Sequence, residues 1–357
     1  MNAAAKNYDG VNKYIRITDI DEASSTYTDK DIVSPDGILT DNYLVNNRDI
    51  LLARTGASTG KSYLYKQSDG KLYYAGFLIR ANVTTHDPYF VFSQLHTHRY
   101  WRWVSIMSAR SGQPGINSQE YSSFPIYTTS IEEESKIAKL LSLLDERIAT
   151  QNKIIEDLKK LKSAIIEIEY TPNAKTTSHI GDIIEQISKR NKNNAIQNVL
   201  SVSNRQGFIK QSDQFENRNV ASEDTSNYKI VEQNDFAFNP ARINVGSIAR
   251  LTTFQRGIVS PMYICFRTQE NVAPEYIDYF FESKHFYCEI QKRLEGSVRQ
   301  CLSFEGLCNI PLSLPSFEMQ QRIGKRLFTL GQKIKTETDL LELLNKQKQY
   351  LLRQMFI

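Results

Sequence analysis

Hydrophobic positions recur with a helical period in two long stretches of the chain. Apolar residues follow alternating steps of four and three from Ile137 to Ile165, and again from Ile323 to Leu351. These steps place the apolar side chains on one stripe of a helix and are typical of a coiled-coil seam. The predicted seam consists of Ile137, Leu141, Leu144, Ile148, Ile155, Leu158, Ile323, Leu327, Leu330, Ile334, Leu341 and Leu344.

Polar residues interrupt both predicted seams at matching places. Gln151 and Lys162 interrupt the first seam, and Glu337 and Lys348 interrupt the second. Polar seam residues fix the register of a coiled coil at some cost in stability. The match favours two helices that pair antiparallel with each other. The alternative is that each long amphipathic helix packs only on its own domain.

The matched helices belong to a repeat that covers most of the chain. Framework residues recur at an offset of 186 positions, as between Asp49 and Asp235. Further pairs at this offset are Gly60 with Gly246, Pro125 with Pro311, Ile137 with Ile323 and Lys162 with Lys348. Repetition over so long a span indicates two copies of one structural unit. We expect a first globular domain at residues 1–128, a helix at 129–171, a second domain at 172–315 and a second helix at 316–357.

The globular halves combine strand and helix patterns. Short runs rich in β-branched and aromatic residues predict strands, with Leu72–Arg80 and Ile258–Arg267 as the longest. Tyr89–Met107 and Pro274–Leu294 predict aromatic-rich helices. We expect the aromatic side chains of these helices to be core: Trp101, Trp103, Phe280, Phe281 and Tyr287. The predicted fold is therefore mixed α/β, with two repeated domains separated by two long helices that form an antiparallel coiled coil.

Two loops in each domain gather small, polar and basic residues. Arg, Lys, Gln and Asn side chains read base edges in DNA, and Ser and Thr hydroxyls hold phosphates. Ordinary turn chemistry is the alternative explanation for each single residue. The candidate DNA-binding residues are Arg54, Thr55, Ser58, Thr59, Lys61, Arg110, Gln113, Asn117, Asn239, Arg242, Asn244, Ser247, Ser297, Arg299 and Gln300.

Composition and motifs exclude several other classes of function. The net charge is only +4, so any DNA contact must depend on local clusters. The chain has no apolar run long enough to span a membrane, and its four cysteines include no C-x-x-C pair. The loop that ends in Gly60-Lys61-Ser62 has Thr55 where a phosphate-binding loop needs its first glycine. We find no catalytic constellation and expect no metal and no cofactor in this chain.

Three stretches resemble the recurring sequences of the specificity subunits of type I restriction–modification enzymes. They are Asp49–Lys61, Ser111–Asn117 and the helix entry Glu318–Ile323. The resemblance implies a non-catalytic DNA-specificity subunit that reads a bipartite target, one half-site per domain. It also implies two methylation subunits that bind S-adenosylmethionine and two restriction subunits that use ATP and Mg²⁺, in the cytoplasm.

The two copies differ at their start. The second domain opens with Ile180-Gly181-Asp182-Ile183, the usual start in that family, and the counterpart would precede residue 1. We therefore expect an N-terminally short first domain. This feature motivates an alternative function, a scaffold or inhibitor that sequesters the methylation subunits through the coiled coil without reading DNA.

Overall fold

The computed structural model describes residues 1–109, 113–171, 178–204, 206–214, 224–296 and 300–356. The chain forms two compact units, Met1–Ile154 with Glu337–Ile357, and Ile155–Thr336. Each unit therefore contains one part of each long helix.

In the described part of the chain, the first unit has seven strands and three short α-helices before the first long helix. The strands are β1 (Ala4–Asn7), β2 (Lys13–Ile15), β3 (Val33–Asp36), β4 (Asp49–Ala53), β5 (Ser62–Leu64), β6 (Leu72–Tyr74) and β7 (Leu78–Asn82). The helices are α1 (Pro88–Gln94), α2 (His98–Met107), α3 (Ser118–Ser122) and the long α4 (Ile131–Tyr170). The central sheet has the antiparallel order β5-β4-β7. One face of β4 packs on α2, where Ile50 and Leu52 meet Tyr100 and Val104.

The second unit repeats this plan with more strands. Its strands are β8 (Ser178–His179), β9 (Ile184–Ile187), β10 (Val199–Ser203), β11 (Gly207–Lys210), β12 (Lys229–Glu232), β13 (Phe236–Phe238), β14 (Ile248–Arg250), β15 (Arg256–Val259), β16 (Ile264–Thr268) and β17 (Pro311–Leu312). Its helices are α5 (Gln211–Gln214), α6 (Pro274–Phe280), α7 (Lys284–Gln291), α8 (Phe304–Cys308) and the long α9 (Phe317–Met355). Two sheets have the orders β14-β13-β16-β9 and β11-β10-β15-β12.

The central sheets of the two units differ by one strand. In the second unit β9 pairs antiparallel with β16. The repeat counterpart of β16 in the first unit is β7. It pairs with β4, and no other strand within the described residues lies against it. Among the described residues, the central sheet therefore has three strands in the first unit and four in the second.

The long helices run antiparallel within each unit. In the first unit Leu141 of α4 packs with Leu352 and Phe356 near the end of α9. Asp145 binds Lys348 at 2.6 Å. In the second unit Ile165 and Ile166 share a core with Ile323 and Leu327 of α9. The predicted seam positions are all buried or half-buried, and the predicted antiparallel arrangement is confirmed.

The polar seam residues have distinct partners. Gln151 Nε2 donates to Glu337 Oε2 at 2.5 Å and to the Glu337 carbonyl at 3.0 Å. These two residues are repeat counterparts, 186 positions apart, and both side chains are buried. Lys162 instead turns away from the seam, binds Glu282 at 2.6 Å and lies over the Tyr279 ring.

The repeat also holds for individual contacts. Buried Glu134 accepts a hydrogen bond from the Asp87 N–H at the start of α1, and its counterpart Gln320 accepts one from Ala273 N–H at the start of α6, both at 2.9 Å. The rings of Phe90 and Phe356 meet at 5.2 Å. Their counterparts Tyr276 and Tyr170 meet at 4.8 Å. In each unit, the start of one long helix and the end of the other therefore pack on the same short helix, α1 in the first unit and α6 in the second.

Several predicted elements are wrong in extent. Tyr89–Met107 is two helices because the Thr97 side chain accepts a hydrogen bond from Tyr100 N–H and starts a new helix. Pro274–Leu294 is divided in the same way, with Ser283 as the cap. Leu72–Arg80 and Ile258–Arg267 are each two strands, broken at Ala75–Phe77 and Ser260–Tyr263.

The core prediction holds for some of the aromatic residues and fails for others. Phe280 is fully buried, whereas Trp101 is 44% exposed and Tyr287 55% exposed. The last two lie on the outer faces of short helices whose opposite faces form the core. Within the described residues, none of the helices is both long and apolar enough to cross a membrane.

Candidate nucleic-acid interface

The two candidate loops of the first unit lie side by side. Ile116 N–H donates to the Arg54 carbonyl, and Gly56 N–H donates to the Pro114 carbonyl, each at 2.9 Å. A Cβ atom on Gly115 would lie 3.1 Å from the Arg54 carbonyl oxygen, so any larger residue would push the two loops apart by a few tenths of an ångström. The structure thus joins the two separate sequence segments into one surface.

Two tyrosines hold this surface from beneath. The Tyr121 hydroxyl donates to the Ala53 carbonyl at 2.6 Å and accepts from Gly60 N–H at 3.1 Å. The Tyr100 hydroxyl donates to the Gly60 carbonyl at 2.8 Å. Burial raises the pKa of Tyr121 to about 12, so its hydroxyl stays protonated. Sequence reasoning missed both residues, since an aromatic residue in a helix gives no sign of what its hydroxyl contacts.

The candidate residues of this surface fall into exposed and structural groups. Arg54 and Gln113 are exposed, and Thr55 and Ser58 are half-buried. Thr59 is buried and its hydroxyl donates to the Gly56 carbonyl at 2.8 Å. Its side chain therefore serves the loop's own geometry.

Two further candidates already have protein partners. Lys61 lies 3.2 Å from Glu22. Asn117 caps α3, where its side chain accepts a hydrogen bond from Glu120 N–H at 2.9 Å. Arg110 lies outside the described residues. Arg54 and Gln113 are thus the best placed of the described candidates to contact a ligand.

The second unit joins its two loops by the equivalent contact. Leu302 N–H donates to the Pro240 carbonyl at 3.0 Å. These residues are the repeat counterparts of Ile116 and Arg54. Near this contact, Glu295 and Cys301 exchange two backbone hydrogen bonds.

The candidates of the second unit divide in the same way. Arg242 and Gln300 are exposed, and Asn244 is half-buried. Asn239 is buried and accepts a hydrogen bond from Ala241 N–H, while buried Ser247 donates to the Val202 carbonyl. These two side chains stabilise the loop, so Arg242 and Gln300 are the exposed polar candidates. Ser297 and Arg299 lie outside the described residues.

The family model for the type I restriction modification DNA specificity domain matches residues 1–160 and 172–346. The chain belongs to this family. The two matched segments correspond to the two copies of the repeat, so each copy contains one specificity domain.

Similar proteins are also specificity subunits. The chain is 24% identical to the type I restriction enzyme MjaVIII specificity subunit of Methanocaldococcus jannaschii, over 86% of this chain and 76% of that protein. It is 25% identical to the putative type I restriction enzyme MjaX specificity subunit of the same organism, over 77% of this chain and 67% of that protein. The solved type I S subunit from M. genitalium matches with a TM-score of 0.62 at 16% identity, over 98% of this chain and 89% of that one. A chain solved in work on complex assembly and conformational transition of the type I restriction–modification system matches with a TM-score of 0.53 at 15% identity. The match covers 96% of this chain and 90% of that one.

Both specificity domains brace the strand that leads into the first loop with a buried aspartate. Asp49 accepts a hydrogen bond from Asn46 N–H and Asp235 from Glu232 N–H, each at 2.7 Å. Burial raises the pKa of Asp235, and Arg267, at 3.0 Å, opposes this shift. These hydrogen bonds fix the start of the strand, and the strand in turn fixes where the first loop begins.

The chemistry available on these surfaces is hydrogen bonding and charge. Arg54, Gln113, Arg242 and Gln300 present guanidinium and amide groups, which bond to base edges or phosphates. Within the described residues, no group of three or more His, Cys, Asp or Glu side chains is arranged to hold a metal ion.

Proposed function

We propose that this chain is a DNA-specificity subunit that reads a bipartite double-stranded target, with one half-site for each specificity domain. The observation that carries the proposal is a main-chain contact between the two candidate loops, here called the loop junction, which both copies share while their exposed side chains stand at different positions. The same backbone contact joins the loops in both units, at Ile116–Arg54 and Leu302–Pro240. Each copy exposes one arginine and one glutamine among the described candidates, but these side chains stand at different positions of the repeat. Two surfaces of the same design that present their polar side chains from different positions suit two half-sites of different sequence.

The proposal gives the long helices an assembly role. Several apolar side chains of α4 are exposed in the chain alone. In the first unit they are Leu140, Leu143 and Ile154, and in the second Leu161 and Ile168. Exposed apolar stripes of this kind suit contact with partner subunits. We propose that two methylation subunits and two restriction subunits assemble on this chain in the cytoplasm. S-adenosylmethionine, ATP and Mg²⁺ would bind to those partners, and this chain would supply no catalytic group.

Methylome sequencing tests the proposal directly. The chain is expressed with its methylation subunits in a host without other methylases, and the methylated motif is determined. We expect a two-part asymmetric motif. Arg54→Ala should change or relax one part, and Arg242→Ala only the other. Arg102→Ala is the control, since Arg102 is an exposed arginine of the first unit outside the loops.

The same experiment separates the alternative function. A chain that only sequesters methylation subunits would give no motif of its own. Added to the complex of a complete relative, it would abolish methylation without creating a new site. Equal loss of both half-sites in Arg54→Ala and Arg242→Ala would contradict the assignment of one half-site to each domain.

A further inference from the structure

A basic groove lies in the second unit, away from the loop junction. It has a volume of about 680 Å³ and includes Lys189, Arg190, Lys192 and Arg256 in its lining. No aspartate or glutamate is among the lining residues, all of which belong to the described part of the chain. The groove therefore concentrates positive charge in a chain whose net charge is only +4.

The cations of the groove are held on an ordered loop. Buried Asn191 binds both the N–H and the carbonyl of Ile196, at 3.1 and 3.0 Å, and so closes the loop on itself. Arg190 Nη1 donates to Asn227 at 2.9 Å. Lys189, Arg190 and Lys192 are exposed, and none forms an ion pair with a carboxylate of the described residues. Arg256 differs from these three in having an ion pair within the described part of the chain, with Glu232 at 3.6 Å.

Strand β10 connects the groove with the loop junction. The loop that carries the groove cations, residues 188–196, lies just before β10, whose first residue is Val199. Near the other end of the same strand, the Val202 carbonyl accepts a hydrogen bond from Ser247 of the candidate loop. A strand of this length covers about 15 Å. One DNA strand covers that distance in roughly four or five nucleotides, at about 3.4 Å each.

We infer that this groove is a second DNA contact, which holds backbone phosphates beside the half-site read by the loops. It binds charge rather than base edges, so it contributes affinity and register but no sequence preference. The inference rests on the proposed DNA-reading function and adds a location and a ligand chemistry to it.

The test compares two charge-matched triple variants of the full chain. The groove variant is Lys189→Gln with Arg190→Gln and Lys192→Gln. The control is Lys159→Gln with Lys284→Gln and Lys325→Gln, three exposed lysines of the same unit outside the groove. Affinity for a duplex of arbitrary sequence is measured by fluorescence anisotropy at several salt concentrations. Circular dichroism checks that both variants are folded.

Counterion release sets the expected size of the effect. The slope of log affinity against log salt is negative, and each lost phosphate contact reduces its magnitude by about 0.9, so three lost contacts reduce it by about 2.7. We expect the magnitude of this slope to fall by about 2 to 3 in the groove variant and by less than about 1 in the control. Equal drops in both variants, an unchanged slope in the groove variant, or no duplex binding by the wild-type chain would overturn the inference.

Sequence preference is measured separately, in the complex with methylation subunits. We expect the groove variant to methylate the same motif as the wild type, at a lower rate. An altered motif would show that the groove reads bases and would overturn the inference. If the wild type has no motif at all, the proposed function fails, while the salt slopes still decide whether the groove binds DNA.

Discussion

Gln320 fastens the start of α6 to the start of α9, and its removal should destabilise the second unit. Its Oε1 accepts from Ala273 N–H and its Nε2 donates to the Pro315 carbonyl, each at 2.9 Å. The side chain is only 1% exposed. The substitution Gln320→Ala leaves both backbone groups without this partner in a place that water reaches poorly.

The expected loss follows from those two groups. A buried polar group left unsatisfied costs about 1–3 kcal/mol, so the two together cost about 2–6 kcal/mol. For a unit of 150–250 residues, each kcal/mol lowers the melting temperature by about 2–4 °C. We therefore expect the melting transition of the second unit to fall by at least about 4 °C.

Two comparisons make the test specific. Gln321→Ala makes the same change at the adjacent exposed position of α9 and should alter stability by less than about 0.5 kcal/mol. Gln320→Glu copies the counterpart Glu134 but puts a carboxylate against the Pro315 carbonyl, so it should not rescue stability. In the first unit, Thr129 supplies an N–H to Glu134 at 3.4 Å, whereas Pro315 has none to give. A melting temperature of Gln320→Ala within 1 °C of that of Gln321→Ala would refute the reasoning.

Three other predictions concern the first unit. Burial, with a smaller contribution from Lys348, lowers the pKa of His96 to about 4. Because the unfolded pKa is about 6.5, stability should fall as the pH drops from about 6.5 towards 4. Tryptophan fluorescence should show this fall, since Trp101 and Trp103 both lie in this unit, and His96→Gln should remove most of it. Tyr121→Phe removes two hydrogen bonds to the loop and should cost about 1–3 kcal/mol. It should also weaken recognition of the first half-site in the methylome and leave the second intact. Replacing both Gln151 and Glu337 with Leu should raise the melting temperature of the helix pair, since apolar residues often stabilise a buried polar pair position. Cysteine crosslinking between α4 and α9 should then detect shifted registers, and a single register with unchanged yield would contradict a register-fixing role.

The long helices and the repeat could be predicted because their signals are one-dimensional. The seam periodicity and its polar breaks require no knowledge of which domains lie nearby, and the structure places the seam on the buried face. Even here, Lys162 breaks the seam for a reason that sequence does not show. It leaves the seam for Glu282, which is 120 positions away.

The loop surfaces were less predictable than the helices. Their residue types indicated polar loops, but not that Thr59, Asn239 and Ser247 would be buried. Burial depends on which segment lies across the loop, and Tyr121 reaches the Gly60 backbone across 61 positions. In the second unit the counterparts of Tyr100 and Tyr121 are Phe286 and Leu307, which have no hydroxyl. Repeat symmetry therefore does not transfer these supports from one unit to the other.

Under the proposed function, the loop junction lets two copies of one fold carry different specificities. The contacts that the copies share join main-chain atoms, from Ile116 to Arg54 and from Leu302 to Pro240. Main-chain contacts do not depend on which side chain a residue carries, and exposed substitutions usually change stability by less than about 0.5 kcal/mol. The exposed side chains at Gln113, Arg242 and Gln300 can therefore be replaced by other residues while the loop junction persists. A subunit that reads two unlike half-sites needs this separation, because each half-site must be changed without unfolding the domain that reads it.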